Sequence, residues 1–153
     1  MQKIDVSARS SASPERVWAL LADVRSWHRW APFDDSTVED GEGLGELRRF
    51  RTGRRTTRER VTGFDPPRRL EYELVSGLPI RDYRAEVTLM PDGDGTAIRW
   101  HSRFRPMLPG TGPLVRRALG RFIERAAEGL AREAESGATP AGGAAPTGGA
   151  ASE

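Results

Sequence analysis

Cysteine is absent from the 153 residues, which excludes disulfides and thiolate metal sites and removes any argument for an oxidising compartment. Histidine is scarce, and two residues, His28 and His101, cannot supply a histidine-rich metal centre. Lysine is nearly missing: of 24 basic residues only Lys3 is a lysine, and the rest are arginine. Against 22 acidic residues they leave a net charge of +2, so the high isoelectric point reflects arginine usage and is no argument for a nucleic-acid partner. No run approaches the roughly 20 apolar residues that span a bilayer. The start, MQKIDVSARS, lacks the apolar centre of a secretory signal, and a cytoplasmic protein without a membrane span is expected.

What is present is concentrated early. In SPERVWALLADVRSWHRWAP, residues 13–32, Ser13 before Pro14 reads as an N-cap and first helical position. Val17, Leu20, Leu21 and Val24 recur at i, i+3, i+4 and i+7 and mark one buried face, flanked by Trp18. Trp27 and Trp30 fall three apart in a second short helix ended by Pro32, so they share a side.

Before these helices, Ile4, Val6 and Ala8 alternate with polar residues and form a first strand. Between Thr37 and Gly45 the glycines at 41, 43 and 45 mark turns, and 46–51 with 55–64 read as a hairpin about Thr52-Gly53. Asp65-Pro66-Pro67 breaks the chain. Leu70, Tyr72 and Leu74 then share a face, as do Tyr83, Ala85 and Val87 and, later, Trp100, Ser102 and Phe104. Antiparallel strands with one wet face each imply a sheet covered on one side. The cover is a helix of some 25 residues carrying the stripe Val115, Leu119, Phe122, Ala126 and Leu130. From Ser136 the chain is almost wholly Ser, Gly, Ala, Thr and Pro, so 1–135 is read as one domain and 136–153 as a disordered tail.

The expected fold is α+β, a helix-grip: a curved antiparallel sheet of about seven strands wrapped around the long C-terminal helix, with two short helices after the first strand. Such a sheet and one helix leave a gap, which is a ligand cavity in many folds. Strand parity lines it with Tyr72, Leu74, Tyr83, Ala85, Val87, Trp100, Ser102 and Phe104. Trp30, Phe33, Phe50, Leu108, Phe122 and Ala126 would close it. Tyr72 and Tyr83 need hydrogen-bond partners if buried, and small Ala85 and Ala126 leave room.

The run RRFRTGRRTTRER, 48–60, carries seven arginines in thirteen residues. One reading is a solvated hairpin with cross-strand partners such as Glu46 and Glu59. The other turns Arg49, Arg51 or Arg58 inward to fork onto a ligand carboxylate or enolate. With one interleaved aromatic and no recognition helix, the run does not read as a nucleic-acid site. His101 falls on the outer face, His28 at the surface, and Asp34-Asp35 on a loop, so no triad, metal site or carboxylate pair is assigned.

The segments PERVWALLAD, SWHRW-P, DPPRRLEYELVSGLP and DGDGTAIRW, with the terminal helix, resemble the START-like superfamily, also called SRPBCC, over 1 to about 135. The polyketide cyclase/dehydrase branch is the most similar. That resemblance implies a helix-grip fold and a hydrophobic small-molecule ligand, aromatic, polyketide-like or lipid-like, with no cofactor. Two functions follow from it: a binding module, or an aromatase/cyclase-type enzyme in which Tyr72, Tyr83 or Arg49 polarises carbonyls during aldol closure and dehydration.

Overall fold

The computed structural model describes residues 1–144, and the burial of side chains to residue 136. The elements are β1 (Gln2–Ser10), α1 (Pro14–Ala22), a 3-10 turn (Val24–Ser26), α2 (Trp27–Trp30), β2 (Asp35–Asp40), β3 (Leu47–Thr52), β4 (Arg55–Asp65), β5 (Arg69–Ser76), β6 (Ile80–Asp92), β7 (Gly95–Pro106) and α3 (Gly112–Ala144). All seven strands form one antiparallel sheet in the order β1-β7-β6-β5-β4-β3-β2. The chain is thus a meander whose first strand has crossed to pair with its last. The expected helix-grip is what forms, and among the described residues no helix is long and apolar enough to cross a membrane.

Local chemistry explains the boundaries. The Ser13 side chain accepts from the Arg16 N–H at 3.3 Å, capping α1, and Pro14 occupies the first turn. Val17, Leu21 and Val24 are buried as the helical spacing requires, and Trp18 meets Phe64 edge-on at 5.2 Å. The turns read around glycines 41, 43 and 45 begin later than expected. Residues 35–40 form the edge strand β2, paired to β3 with Ser36 opposite Phe50. The helix α3 runs through 136–144, past the boundary placed at 135; the rest of the proposed disordered tail, 145–153, lies outside the described residues.

The two ends of the grip differ. At one end the Ser10 hydroxyl donates to the Ala131 carbonyl at 2.9 Å, and Thr96 donates to the Ala12 carbonyl at 2.7 Å. Gly95 lies so close to β1 that a Cβ would stand 2.2 Å from the Ser10 oxygen. This end is sealed by backbone contact. Along α3 the change is visible in burial: Ile123, Ala126, Ala127, Leu130, Ala131 and Ala134 are buried, whereas Val115, Leu119 and Phe122 keep accessible surface. The first half of the helix therefore roofs a space and the second half closes against β1 and α1.

Gly120 and Gly129, both in α3, are not equivalent. A Cβ at Gly120 would meet only Ile4, at 4.0 Å. Alanine there gains helix propensity without a clash, and Gly120→Ala is expected to raise stability by about 0.5–1 kcal/mol in a urea titration.

Candidate functional site

Between α3 and the concave face of the sheet lies a cavity of about 390 Å³, open at the end where β3–β4, β5–β6 and β7–α3 connect. Trp27, Tyr72, Tyr83 and Trp100 make its inner wall, Phe33 and Phe122 one side, and Leu119, Ile123 and Ala126 the roof. Thr52, Arg55, Leu78, Pro79 and Leu114 stand at the mouth. The walls are mostly apolar and aromatic, as in small-molecule sites.

The aromatics form one connected array. Trp27 sits 5.7 Å from Trp100 and 6.2 Å from Tyr72, both edge-on, and Tyr72 lies 6.3 Å from Tyr83. Phe33 stacks on Phe50 at 4.4 Å and meets Phe122 at 5.0 Å. Polar tips hold the rings in place: the Trp100 indole donates to the Tyr72 hydroxyl at 3.1 Å, and the Trp27 indole donates to the Leu21 carbonyl at 3.1 Å. Edge-on aromatic geometry adds to simple burial, so this wall is built to keep its shape when empty.

Of the expected lining, Phe33, Tyr72, Tyr83, Trp100, Phe122 and Ala126 do face the cavity. Eight others do not. Trp30, Phe50, Ala85, Val87 and Phe104 are buried in the surrounding core, and Leu74 is only partly buried, packed against that core. Ser102 is buried next to the Tyr83 hydroxyl but outside the lining, and Leu108 projects from the β7–α3 loop, 64% exposed. Parity assigned the face correctly, but the inner face is longer than the cavity, which occupies only its open end. Trp27 takes the place expected of Trp30, because the Trp27 indole is anchored to Leu21 while the Trp30 indole turns to Ser26 Oγ at 3.1 Å.

The arginine run needs a sharper correction. Arg49 and Arg51 are exposed on the outer face, and Arg58 is drawn to Glu39 at 2.8 Å on that side too. The inward arginine is Arg48, on the parity of Phe50. Its Nε bonds Glu46 at 2.6 Å, its two terminal nitrogens donate to the Leu21 and Ala22 carbonyls at 3.2 and 3.1 Å, and its plane lies 5.4 Å from the Trp27 ring. It ties off the C-terminus of α1 behind the cavity wall and is a structural group.

Directly across the β3–β4 ladder from Arg48 is Glu59, which lines the cavity. It is part-buried, its remaining accessible surface being the part that lines the cavity. Arg48 is taken up by Glu46 and the α1 carbonyls, and among the described residues no ion pair closes onto Glu59. Burial pushes the Glu59 carboxyl up to about 8, only partly offset by the Arg48 charge. Burial likewise raises both tyrosines above the ordinary phenol range, so all three groups hold their protons near neutrality. The cavity therefore offers hydrogen-bond donors, at Glu59 and the tyrosines, to an apolar guest carrying an acceptor such as a carbonyl.

A second concavity, along β1, β7 and β6, is lined mostly by charged side chains of the outer face, with Ile4, Ala85 and Ser102 beneath them. There Asp5 pairs with Arg99 at 2.7 Å and Glu86 with His101 at 2.8 Å, while Arg69 also bonds Glu86. Arg99 and Asp5 are exposed and answer one another, as on an ordinary solvated strand face. His101 is on this outer side, as expected, and His28 is exposed.

A helix-grip domain with an aromatic-walled pocket open at one end is a ligand-binding architecture. Residues 1–135 match the family described as polyketide cyclase/dehydrase and lipid transport, and the chain belongs to it. Among solved structures it is similar to the Zhui aromatase/cyclase from Streptomyces sp. R1128, at 20% identity over 92% of this chain and 98% of that one, with a TM-score of 0.75. It is also similar to a START superfamily protein from Mycobacterium smegmatis, at 18% identity over 88% and 97%, with a TM-score of 0.76. The protein XoxI from Bacillus cereus is similar too, at 19% identity over 87% and 95%, with a TM-score of 0.77. No curated protein matches the sequence.

Proposed function

We propose that the protein binds a hydrophobic, aromatic, polyketide-like or lipid-like small molecule in this cavity. The observation that carries the reading is an apolar space of about 390 Å³ walled by Trp27, Tyr72, Tyr83 and Trp100. Burial worth about 25 cal/mol per Å² would supply most of the affinity, and one or two hydrogen bonds would set orientation. The test is quenching of tryptophan emission by an apolar naphthalene dye. Tyr83→Ala and Trp100→Ala should each alter saturation strongly, and Arg117→Ala, on the outer side of α3, should not. Equal effects at all three positions would place the dye on the surface.

Glu59 supports a second reading, an aromatase/cyclase-type enzyme. A protonated carboxyl beside two phenols can give its proton to the carbonyl oxygen that gains negative charge as an enolate attacks, and the carboxylate so formed can take back the α-proton as the hydroxyl leaves in dehydration, which restores the acid. If this is the activity, purified protein shifts the product distribution of a reactive poly-β-ketone and Glu59→Gln, which keeps a donor but cannot exchange a proton, loses the shift. Spontaneous products unchanged by the wild type would remove the enzymatic reading and leave the binding one standing.

The same carboxyl predicts a pH dependence. Its pKa is raised on folding, so between about pH 4.5 and 8 the native state holds a proton that the unfolded chain has released. The contribution of Glu59 to stability is thus full below pH 4.5 and declines toward pH 8. Glu59→Gln should flatten that decline in thermal midpoints read from pH 5 to 8; an identical slope in both proteins would contradict the buried state of this group.

A further inference from the structure

The cavity mouth differs from the rest of the surface in two ways at once. Of the seven large apolar side chains that stand exposed among the described residues, five lie at the open end: Met1, Val75, Met107, Leu108 and Leu114. Leu114 is 72% exposed although it also touches the cavity, and Leu108 is 64% exposed on the adjoining loop. Single exposed apolar residues need no explanation, but a cluster of them around one opening does.

Charge sorts along the same axis. Between Asp94 and Glu124 the chain holds no acidic residue and six arginines. Arg116, Arg117 and Arg121 belong to the first turns of α3, and Arg54, Arg55 and Arg81 flank the other mouth loops; none of these makes an ion pair among the described residues. Among the acids at this end, Asp34 and Asp82 are answered by Arg51 and Arg105, and Asp35 is exposed beside Arg51 across the β2–β3 ladder. The sealed end is mixed, with Asp40, Glu42, Asp92 and Asp94 in or beside its loops, Arg9 paired to Asp92 at 2.9 Å and Arg68 in the β4–β5 turn. A skew toward arginine in the composition does not account for this sorting of charge between the two ends.

We infer that the mouth is a docking surface for an anionic lipid bilayer, seated through Met107, Leu108 and Leu114 and steered by the arginines around them. The chemistry is that of an interfacial contact: apolar side chains enter the headgroup boundary, and guanidinium groups meet lipid phosphates at its edge. The β7–α3 loop, PMLPGTG, carries the insertion, and it has no charge of its own to desolvate. Docking goes beyond the cavity reading and does not depend on which guest the cavity takes. With an apolar guest, it would let that guest pass between lipid and cavity without crossing water.

The experiment is co-sedimentation of the full chain with vesicles of phosphatidylglycerol and phosphatidylcholine, against vesicles of phosphatidylcholine alone, with the thermal midpoint and the sedimentation-velocity mass of each variant recorded. Binding to the anionic vesicles that weakens with salt is expected. Met107→Asp with Leu108→Asp should abolish it while leaving the thermal midpoint in place. Arg116→Gln with Arg117→Gln should weaken it about 25-fold, at about fivefold for each arginine. Absence of binding at low salt, or equal binding to both vesicles, overturns the inference. So does a stable dimer that the Met107→Asp, Leu108→Asp variant dissociates, since the apolar rim would then be covered by a second copy of the chain. These outcomes are separable from failure of the cavity reading, because dye binding in the wild type is measured without lipid.

Discussion

Arg48→Met will lower unfolding free energy by about 3–5 kcal/mol, the range for removing one partner of a buried ion pair. The side chains of Arg48 and Glu46 are 1% and 8% exposed, so neither charge can turn to water. Without the guanidinium, the Glu46 carboxylate is left in the core, and the last carbonyls of α1 lose their donors. Arg48→Lys should recover only a minority of the loss, since one ammonium cannot serve an acid and two carbonyls in the plane of a fork. Glu46→Gln combined with Arg48→Met should be less damaging than Arg48→Met alone, because no buried charge remains unpaired. Urea midpoints at constant slope test all three. The effect should reach the cavity as well: Arg48 and the Trp27 indole share the Leu21 carbonyl, so a loosened Trp27 should weaken dye binding in the single variant.

The second large effect concerns Gly129. Helix propensity alone predicts that alanine would stabilise α3 by about 1 kcal/mol. Packing reverses the sign. A Cβ at this position would stand 1.9 Å from the Trp30 carbonyl oxygen and 2.9 Å from its carbon, both backbone atoms that cannot swing aside. The residue must push α3 away from α2, opening the contact that fixes both tryptophans of α2. A net loss of about 3 kcal/mol is expected for Gly129→Ala, at the upper end of overpacking. The contrast with Gly120→Ala in the same helix isolates contact from propensity. If both substitutions stabilised equally, the close approach of α2 to α3 would be wrong.

Where the sequence has apolar contrast, it announces the structure. Ser13-Pro14 and the Val17, Leu20, Leu21 spacing specify α1, with Val24 continuing its buried face into the 3-10 turn; the alternation through Leu70, Tyr72, Tyr83, Val87, Trp100 and Phe104 specifies the inner face of β5 to β7. β2 escaped because its inward residues, Ser36 and Val38, are small among acids and a glycine-rich turn follows. β4 was harder still. Thr57, Glu59 and Val61 share its inner face, yet polar residues occupy both sides, and register shifts at 58/59 and 61/63 interrupt simple parity. Arg48 is legible in principle, since it shares the parity of Phe50, two residues on, which reads as inward. The general preference of arginine for water pointed the other way, and only the α1 carbonyls and Glu46, distant or unremarkable in sequence, show why it can be buried. Glu59 reads in the sequence only as a cross-strand partner within a solvated arginine hairpin, and its place opposite Arg48 on the cavity wall depends on how far α3 stands from the sheet. No local pattern encodes that distance. It also explains why Trp30, Phe50 and Phe104, correctly placed on the inner side, pack as core instead of lining the space.

Binding depends on that standoff being an accessible site. The most direct measurement is a titration of wild type and Ala118→Phe with an apolar naphthalene dye, read by tryptophan quenching. Residue 118 lies on the cavity side of α3 near the mouth, so a phenyl group enters the space without disturbing the sealed end. The wild type should saturate at one dye per chain, with Trp27 and Trp100 quenched, and the variant should bind at least tenfold more weakly at an unchanged thermal midpoint. Equal saturation in both proteins would contradict an internal site.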